Sequence, residues 1–408
     1  MIKKEFNVRL ILRFLGIILL VETFALLIAA LVAVIYNEKE LAVFLKTAGL
    51  TFVFGIAFVL SGIKASPMID RREGSLIVTL TWIIFSAFGM LPFWLSGSIP
   101  SLTDAYFETI SGFTTTGASI LNNIEELPYS ILFWRSLTHW IGGMGIIVLS
   151  LALLPVFGAS GSQLFAAETA GPNKDKIHPK INETAKRLFL IYGILTLAQT
   201  LLLKFGGMSW FDAICHSFGT VATGGFSTKQ DSVGYWDSAY IQYVIAIFML
   251  LSGVNFSLYY FGFKNKFEKI FRNEELKYYF ITLFIFTFIV ALSLFDFNAG
   301  LSLKHLEGIW REAFFNVTAV MTTTGFATAD YMNWETFTWV LLLIAMIIGA
   351  SAGSTSGAIK MIRIVIVFKY CYFVFKKLVH PQAVIPVRYN GQFVNEDVIT
   401  KVLAFVLL

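Results

Sequence analysis

The chain has 408 residues, enough by length for two or three soluble domains. Its composition excludes them: 57% of residues are hydrophobic and 14% charged, against roughly 45–50% and about 25% in soluble proteins. With a mean hydropathy of +0.73, a formal charge of +5 and two cysteines, Cys215 and Cys371, the chain is neither disordered nor a disulfide scaffold. It reads as a membrane protein.

A bilayer core needs roughly 20 apolar residues in a helix. Such runs lie at 10–36, 41–63, 75–95, 129–154, 185–204, 239–262, 278–296 and 335–375, and another begins near Val398. The first is too long for a cleaved signal peptide, and no small-residue cleavage site precedes Asn37-Glu38-Lys39-Glu40. With the N-terminus inside, most basic residues fall in inner segments: Lys3 to Arg9, Lys64 to Arg72, Lys174 to Arg187, Lys264 to Lys277 and Lys360 to Arg388. Arg135 counts among the few on the outer side. The basic balance is therefore topogenic and needs no nucleic acid. Outer connections carry Asp104, Glu108, Glu125 and Glu126, then Asp212, Asp231 and Asp237. They read either as an acidic mouth that concentrates cations or as ordinary solvated loops. The inner stretch 156–184, with Pro172 and Pro179, and the stretch 263–277 are too short for soluble domains.

Three outer connections share one pattern, an amphipathic stretch followed by a Thr/Gly cluster and an extended segment. The first runs Asp104 to Phe113 and then Thr114-Thr115-Thr116-Gly117-Ala118-Ser119. The second runs Trp210 to Thr220 and then Val221-Ala222-Thr223-Gly224-Gly225-Phe226-Ser227-Thr228. The third runs Glu312 to Val320 and then Met321-Thr322-Thr323-Thr324-Gly325-Phe326-Ala327-Thr328. Gly117, Gly224 and Gly325 align at matched intervals, each holding two spanning helices. One Thr-Gly pair is an ordinary turn signal; three in matched contexts are not. Non-helical backbone at membrane depth must face protein or a water-filled cavity. A ring of Thr-Thr-Gly carbonyls can replace the hydration shell of K⁺.

These loops, with Phe133-Trp134-Arg135-Ser136-Leu137-Thr138-His139-Trp140-Ile141-Gly142-Gly143-Met144-Gly145, Phe211 to His216 and Gly349 to Lys360, resemble the Trk-type potassium uptake proteins of the TrkH/KtrB superfamily. The two helices before the first unit are similar to the TrkH branch. The resemblance implies an all-α integral membrane protein, with repeated helix–pore-loop–helix units around a pseudo-fourfold pore and an N-terminal helix hairpin in front. The divisions expected are 1–66 (hairpin), 67–160, 161–265 and 266–380 (three units), and 381–408, the start of a truncated fourth unit whose glycine would lie beyond Leu408. It implies K⁺ uptake as the function, K⁺ as transported ion with no covalent cofactor, and a bacterial inner (plasma) membrane with a cytoplasmic N-terminus. A homodimer and a cytoplasmic nucleotide-binding regulatory subunit of the TrkA type are implied too. The expected filter residues are Thr115, Thr116, Gly117, Ala222, Thr223, Gly224, Thr323, Thr324 and Gly325.

The run 335–375 is too long for one straight span. Its centre, Gly349-Ala350-Ser351-Ala352-Gly353-Ser354-Thr355-Ser356-Gly357, reads either as a packing face of small residues at spacings of four or as an intramembrane loop. The Ser/Thr density favours the loop, and the resemblance makes it the gate. Lys360 and Arg363 then either snorkel or set the charge of an inner vestibule. The run lacks Gly-Lys-Ser/Thr and is no nucleotide loop. His139, His178, His216, His305 and His380 show no metal-ligand spacing, and packing is the default for Cys215 and His216. Trp94, Trp134, Trp140, Trp210, Trp236, Trp310, Trp334 and Trp339 read as interfacial belts. No nucleophile elbow, carboxylate pair or redox cysteine pair is present, so an enzyme is not expected. Alternatives within transport are Na⁺ permeation or ion-coupled symport; outside it, a membrane enzyme or a non-transporting sensor.

Overall fold

The structure is a computed structural model that describes residues 7–65, 71–143, 145, 181–295, 302–382 and 386–407. The inner stretch 156–184 expected from sequence falls mostly outside them, as do residues 146–154 of the fourth apolar run. The described residues fall into two compact units, one up to residue 235 and the other from residue 236.

In the first unit, α1 (Val8–Ile35) and α2 (Leu41–Ser61) form a hairpin turned at Asn37, which takes φ 53°. They pack closely at small residues: a Cβ on Gly16 would stand 2.7 Å from the Gly55 carbonyl oxygen. Next come α3 (Arg71–Gly89) and the short α4 (Leu91–Leu95), whose Pro92 sits where a helix start tolerates it. The short α5 (Leu102–Phe113) starts on a Ser101 cap and leads through an extended segment into α6 (Tyr129–Gly143). The motif repeats with α7 (Ile181–Phe205) and α8 (Trp210–Val221), the latter capped by Ser209. Aromatic side chains pack together within a largely aliphatic core here. Phe113 lies between Phe85, at 4.4 Å, and Trp134, at 6.2 Å, and all three are fully buried.

The second unit opens with α9 (Ala239–Ser252) and α10 (Phe256–Phe263), followed by α11 (Phe267–Phe271) and α12 (Glu274–Ser293). The third copy of the helix that precedes a Thr/Gly loop is α13 (Leu303–Met321), which is longer than α5 and α8. Then come α14 (Thr336–Ile348), α15 (Met361–Val379), a two-residue ribbon pairing Arg388 with Phe393, and α16 (Glu396–Leu407). Val290 of α12, Ala313 and Val317 of α13, and Leu341 and Leu342 of α14 form one core cluster.

Among the described residues five helices are long and apolar enough to cross a membrane, and the bent pair α9–α10, taken as one span, raises this to six. The chain is thus a multi-pass membrane protein built from helix–short helix–extended loop–helix repeats. Two expectations from sequence are corrected. The run 239–262 is not one straight helix, because it bends by 94° between α9 and α10. The break falls at Gly253-Val254-Asn255, where Asn255 Oδ1 accepts the Ser257 N–H at 2.8 Å and starts a new helix. Nor are all tryptophans interfacial. Trp134 is fully buried, with Nε1 donating to the Gly89 carbonyl at 2.9 Å, and Trp140 Nε1 donates to Thr196 Oγ1 at 3.1 Å. A buried indole finds an acceptor inside the bundle.

Candidate functional site

Each of the three short helices ends in the same cap. Thr115, Thr223 and Thr323 adopt left-handed backbone, at φ 54°, 53° and 58°. The N–H of the next residue reaches back five positions: Thr116 to Ser111, Gly224 to Gly219 and Thr324 to Ala319, at 2.8–2.9 Å. This is the Schellman arrangement with threonine where glycine is usual. A β-branched residue there is strained by about 1–3 kcal/mol, and this chain makes the choice three times. A positive-φ glycine follows two residues on, at Gly117 (76°), Gly225 (84°) and Gly325 (80°).

The backbone therefore corrects the register read from sequence. Gly225, not Gly224, corresponds to Gly117 and Gly325; Gly224 takes the place of Thr116 and Thr324, and Ala222 that of Thr114 and Thr322. Two adjacent glycines made the Thr-Gly match pick the first, whereas conformation selects the second. The missed residue is Gly225. Its signal was present in the following residues, since Gly225-Phe226 mirrors Gly325-Phe326.

Within the first unit, two loops meet. A Cβ on Gly117 would overlap the carbonyl oxygen of Gly224. Gly142 and Gly143 of α6 let this helix press on both caps, because a Cβ on Gly142 would strike the Phe113 carbonyl and one on Gly143 would stand 2.5 Å from Ala222 Cα.

Equivalent positions on the short helices clamp the extended segments. Glu108 accepts from Ser119 Oγ at 2.9 Å and Ile120 N–H at 3.0 Å. His216 Nε2 shares a 2.9 Å hydrogen bond with Ser227 Oγ, while its Nδ1 donates to the Asp212 carbonyl at 2.8 Å. Asn316 Nδ2 donates to Thr328 Oγ1 at 3.1 Å. Glu108, His216 and Asn316 each lie seven residues before the left-handed threonine. Arg135 joins the first two loops. Its Nε donates to Glu108 at 2.7 Å, its Nη1 donates to the Ser227 carbonyl at 2.9 Å, and its guanidinium lies 3.6 Å from the Phe226 ring centroid. His139 stacks on the same ring at 4.0 Å.

These contacts correct two readings and refine a third. Glu108 does not face an acidic mouth, His216 does more than pack, and Arg135, expected at the outer side, is buried. Burial of an ion pair requires hydrogen bonds for its remaining polar atoms, and the loop backbone and Ser119 supply them. Asp104, Glu125, Glu126 and Asp231 stay exposed.

In the second unit, residues 349–360 are non-helical, so the glycines at spacings of four do not form a helix face. Positive φ at Gly349, Gly353, Ala358 and Lys360 turns the chain. The segment docks on the other helix break: Ser351 N–H donates to the Gly253 carbonyl, and Phe256 N–H donates to the Gly353 carbonyl, both at 3.0 Å. Gly357 N–H donates to Thr323 Oγ1 at 2.7 Å, which ties the segment to the third loop. Lys360 does not snorkel; its Nζ donates to the Ser356 carbonyl. Arg363 Nη1 donates to the Ile359 carbonyl at 2.6 Å, with its guanidinium 4.0 Å from the Phe405 ring centroid. Ala350, Ser351 and Ser356 are buried, while Gly357 is exposed.

The TrkH family model, described as cation transport protein, matches residues 41–408. The chain belongs to the TrkH family of cation transport proteins. It is a transporter of that family and not an enzyme. It is 42% identical over 401 residues to the Trk system potassium uptake protein TrkH of Escherichia coli K12, covering 97% of this chain and 82% of the relative. It is 35% identical to the Trk system potassium uptake protein TrkG of the same organism over 405 residues, 98% of this chain and 83% of the relative. Among solved structures, the crystal structure of the potassium transporter TrkH from Vibrio parahaemolyticus matches with a TM-score of 0.84 and 34% identity, covering 98% of this chain and 82% of that one.

Proposed function

We propose that this TrkH-family protein takes up K⁺ by selective permeation past the loops at 115–117, 223–225 and 323–325. The single observation that carries the reading is their shared geometry: a left-handed threonine and a positive-φ glycine at each short-helix end, with a carbonyl-rich extended segment beyond. Relatives named as potassium uptake proteins supply the choice of ion. Carbonyl oxygens from such loops replace the water around dehydrated K⁺. Exposed Asp104, Glu125, Glu126 and Asp231 raise the local cation concentration. The membrane potential supplies about 2.3 kcal/mol per charge at 100 mV.

In this reading residues 349–360 form the gate, because they are bonded to the third loop through Thr323. The protein sits in the bacterial inner membrane with its N-terminus in the cytoplasm, works as a homodimer, and answers to a cytoplasmic nucleotide-binding subunit. The test is Rb⁺ and K⁺ flux into liposomes with the full-length protein, together with rescue of cells that cannot take up K⁺. Saturable K⁺ or Rb⁺ flux exceeding Na⁺ flux is expected. Folded protein without cation flux rejects the reading, and equal Na⁺ flux rejects the choice of ion.

A further inference from the structure

The non-helical segment 349–360 has a tie that sequence gave no reason to expect. Glu275, in the first turn of α12, is 2% exposed. Its Oε1 accepts the Ala352 N–H at 2.6 Å and the Ile362 N–H at 3.2 Å. Ala352 lies early in the break, and Ile362 lies in the first turn of α15, where amides have no intrahelical partner. One carboxylate oxygen thus clips both ends of the segment.

Other ties from outside are neutral, among them Gly253 carbonyl to Ser351, Gly353 to Phe256, Thr323 Oγ1 to Gly357 and, at 3.4 Å, Thr355 Oγ1 to the Ser252 carbonyl. Hydrogen bonds to an ionised acceptor are roughly twice as strong as neutral ones. Glu275 thus holds the segment from another helix at two points, Ala352 and Ile362.

We propose that Glu275 is the latch of the intramembrane segment, a positioning residue whose carboxylate keeps 351–362 docked against the third loop and whose loss frees it. This rests on the reading of 349–360 as the gate. The direction of the effect follows from backbone chemistry. Without Glu275 the Ala352 and Ile362 amides lose their acceptor, and a buried amide must find another in protein or water. The segment then moves toward water, and the docked state weakens.

The experiment uses full-length protein in liposomes, with Glu275→Ala, Glu275→Gln and Glu275→Asp. Rb⁺ and Na⁺ flux are measured in each. The rate of thiol modification at Ser354→Cys is measured in a Cys371→Ser background. Glu275→Ala is expected to raise flux and modification about tenfold, the effect of weakening the docked state by about 1.4 kcal/mol, with the Rb⁺/Na⁺ ratio unchanged. Glu275→Gln keeps an accepting oxygen and lies between wild type and Glu275→Ala; where the latter does not assemble, Gln and Asp carry the test with smaller increases. Wild-type flux and modification in all variants overturn the proposal. So does a fall in flux with an altered ion ratio, the sign of general damage. Absence of Rb⁺ flux in the wild type would reject the permeation reading instead, and the thiol rates would still report the latch.

Discussion

Gly117 faces the carbonyl oxygen of Gly224 so closely that no Cβ fits between them. Gly117 also has φ 76°, which costs an L-residue about 1–2 kcal/mol. Gly117→Ser is therefore expected to displace the second loop as well as the first. Selectivity for K⁺ over Na⁺ falls, as measured by paired Rb⁺ and Na⁺ fluxes, and the thermal midpoint drops. An unchanged flux ratio in well-folded protein would remove Gly117 from the filter.

The Arg135–Glu108 pair is fully enclosed, with side chains 2% and 0% exposed. Removing one partner from such a pair typically costs about 3–5 kcal/mol. Arg135→Met and Glu108→Gln should each destabilise the protein strongly in detergent, and Arg135→Met should also free the second loop at Ser227. The double variant is expected to recover part of the loss. Additive losses in a double-mutant cycle would show that the two residues act separately.

Glu22 presents the opposite case. It sits in the middle of α1 with no exposed surface, and neither carboxyl oxygen meets a hydrogen-bond partner among the described residues. Its Oε1 lies 3.0 Å from the Cβ position of Gly89. A buried polar group left unsatisfied costs about 1–3 kcal/mol. Glu22→Leu, of similar volume, is predicted to raise the thermal midpoint, whereas Glu22→Lys should prevent assembly. A lower midpoint for Glu22→Leu would show that the acid has a hidden role.

Truncating the clamp on α8 or on α13 is predicted to carry a comparable penalty. His216→Ala removes a bond at each ring nitrogen, and Asn316→Ala removes the bonds from its Nδ2 to Thr328 Oγ1 and to the Glu312 carbonyl. The expected loss is about 1–3 kcal/mol at each buried site. In the third loop Ala327 stands where the others have serine, so Asn316→His with Ala327→Ser should rebuild the second loop's clamp. Thermal midpoints of the single and double variants would check this.

The repeat, the multi-pass class and the broken helix at 349–357 were legible because composition and periodicity report them directly. A run of small polar residues inside an apolar segment has few other readings. The loop register was less legible, since Gly224 and Gly225 are chemically identical and only φ distinguishes them. The pairing of Glu108 with Arg135 was not legible, because a charge in an outer connection looks the same whether it meets water or a partner 27 residues away. The break at Gly253-Val254-Asn255 was hidden within apolar sequence, and its stabilising partner, Gly353, is a hundred residues further on. Long-range pairing of this kind leaves no local pattern to read.

That pairing bears on how the protein is made. Helix α9–α10 and helix α14–α15 each carry a stretch of open backbone, and each completes the other's bonding at Gly253 and Gly353. Neither is a comfortable solitary tenant of hydrocarbon. The earlier segment gains these partners only once the later one has been made. Substitutions at either glycine are therefore expected to lower the amount of assembled protein recovered from membranes, even where each helix still inserts.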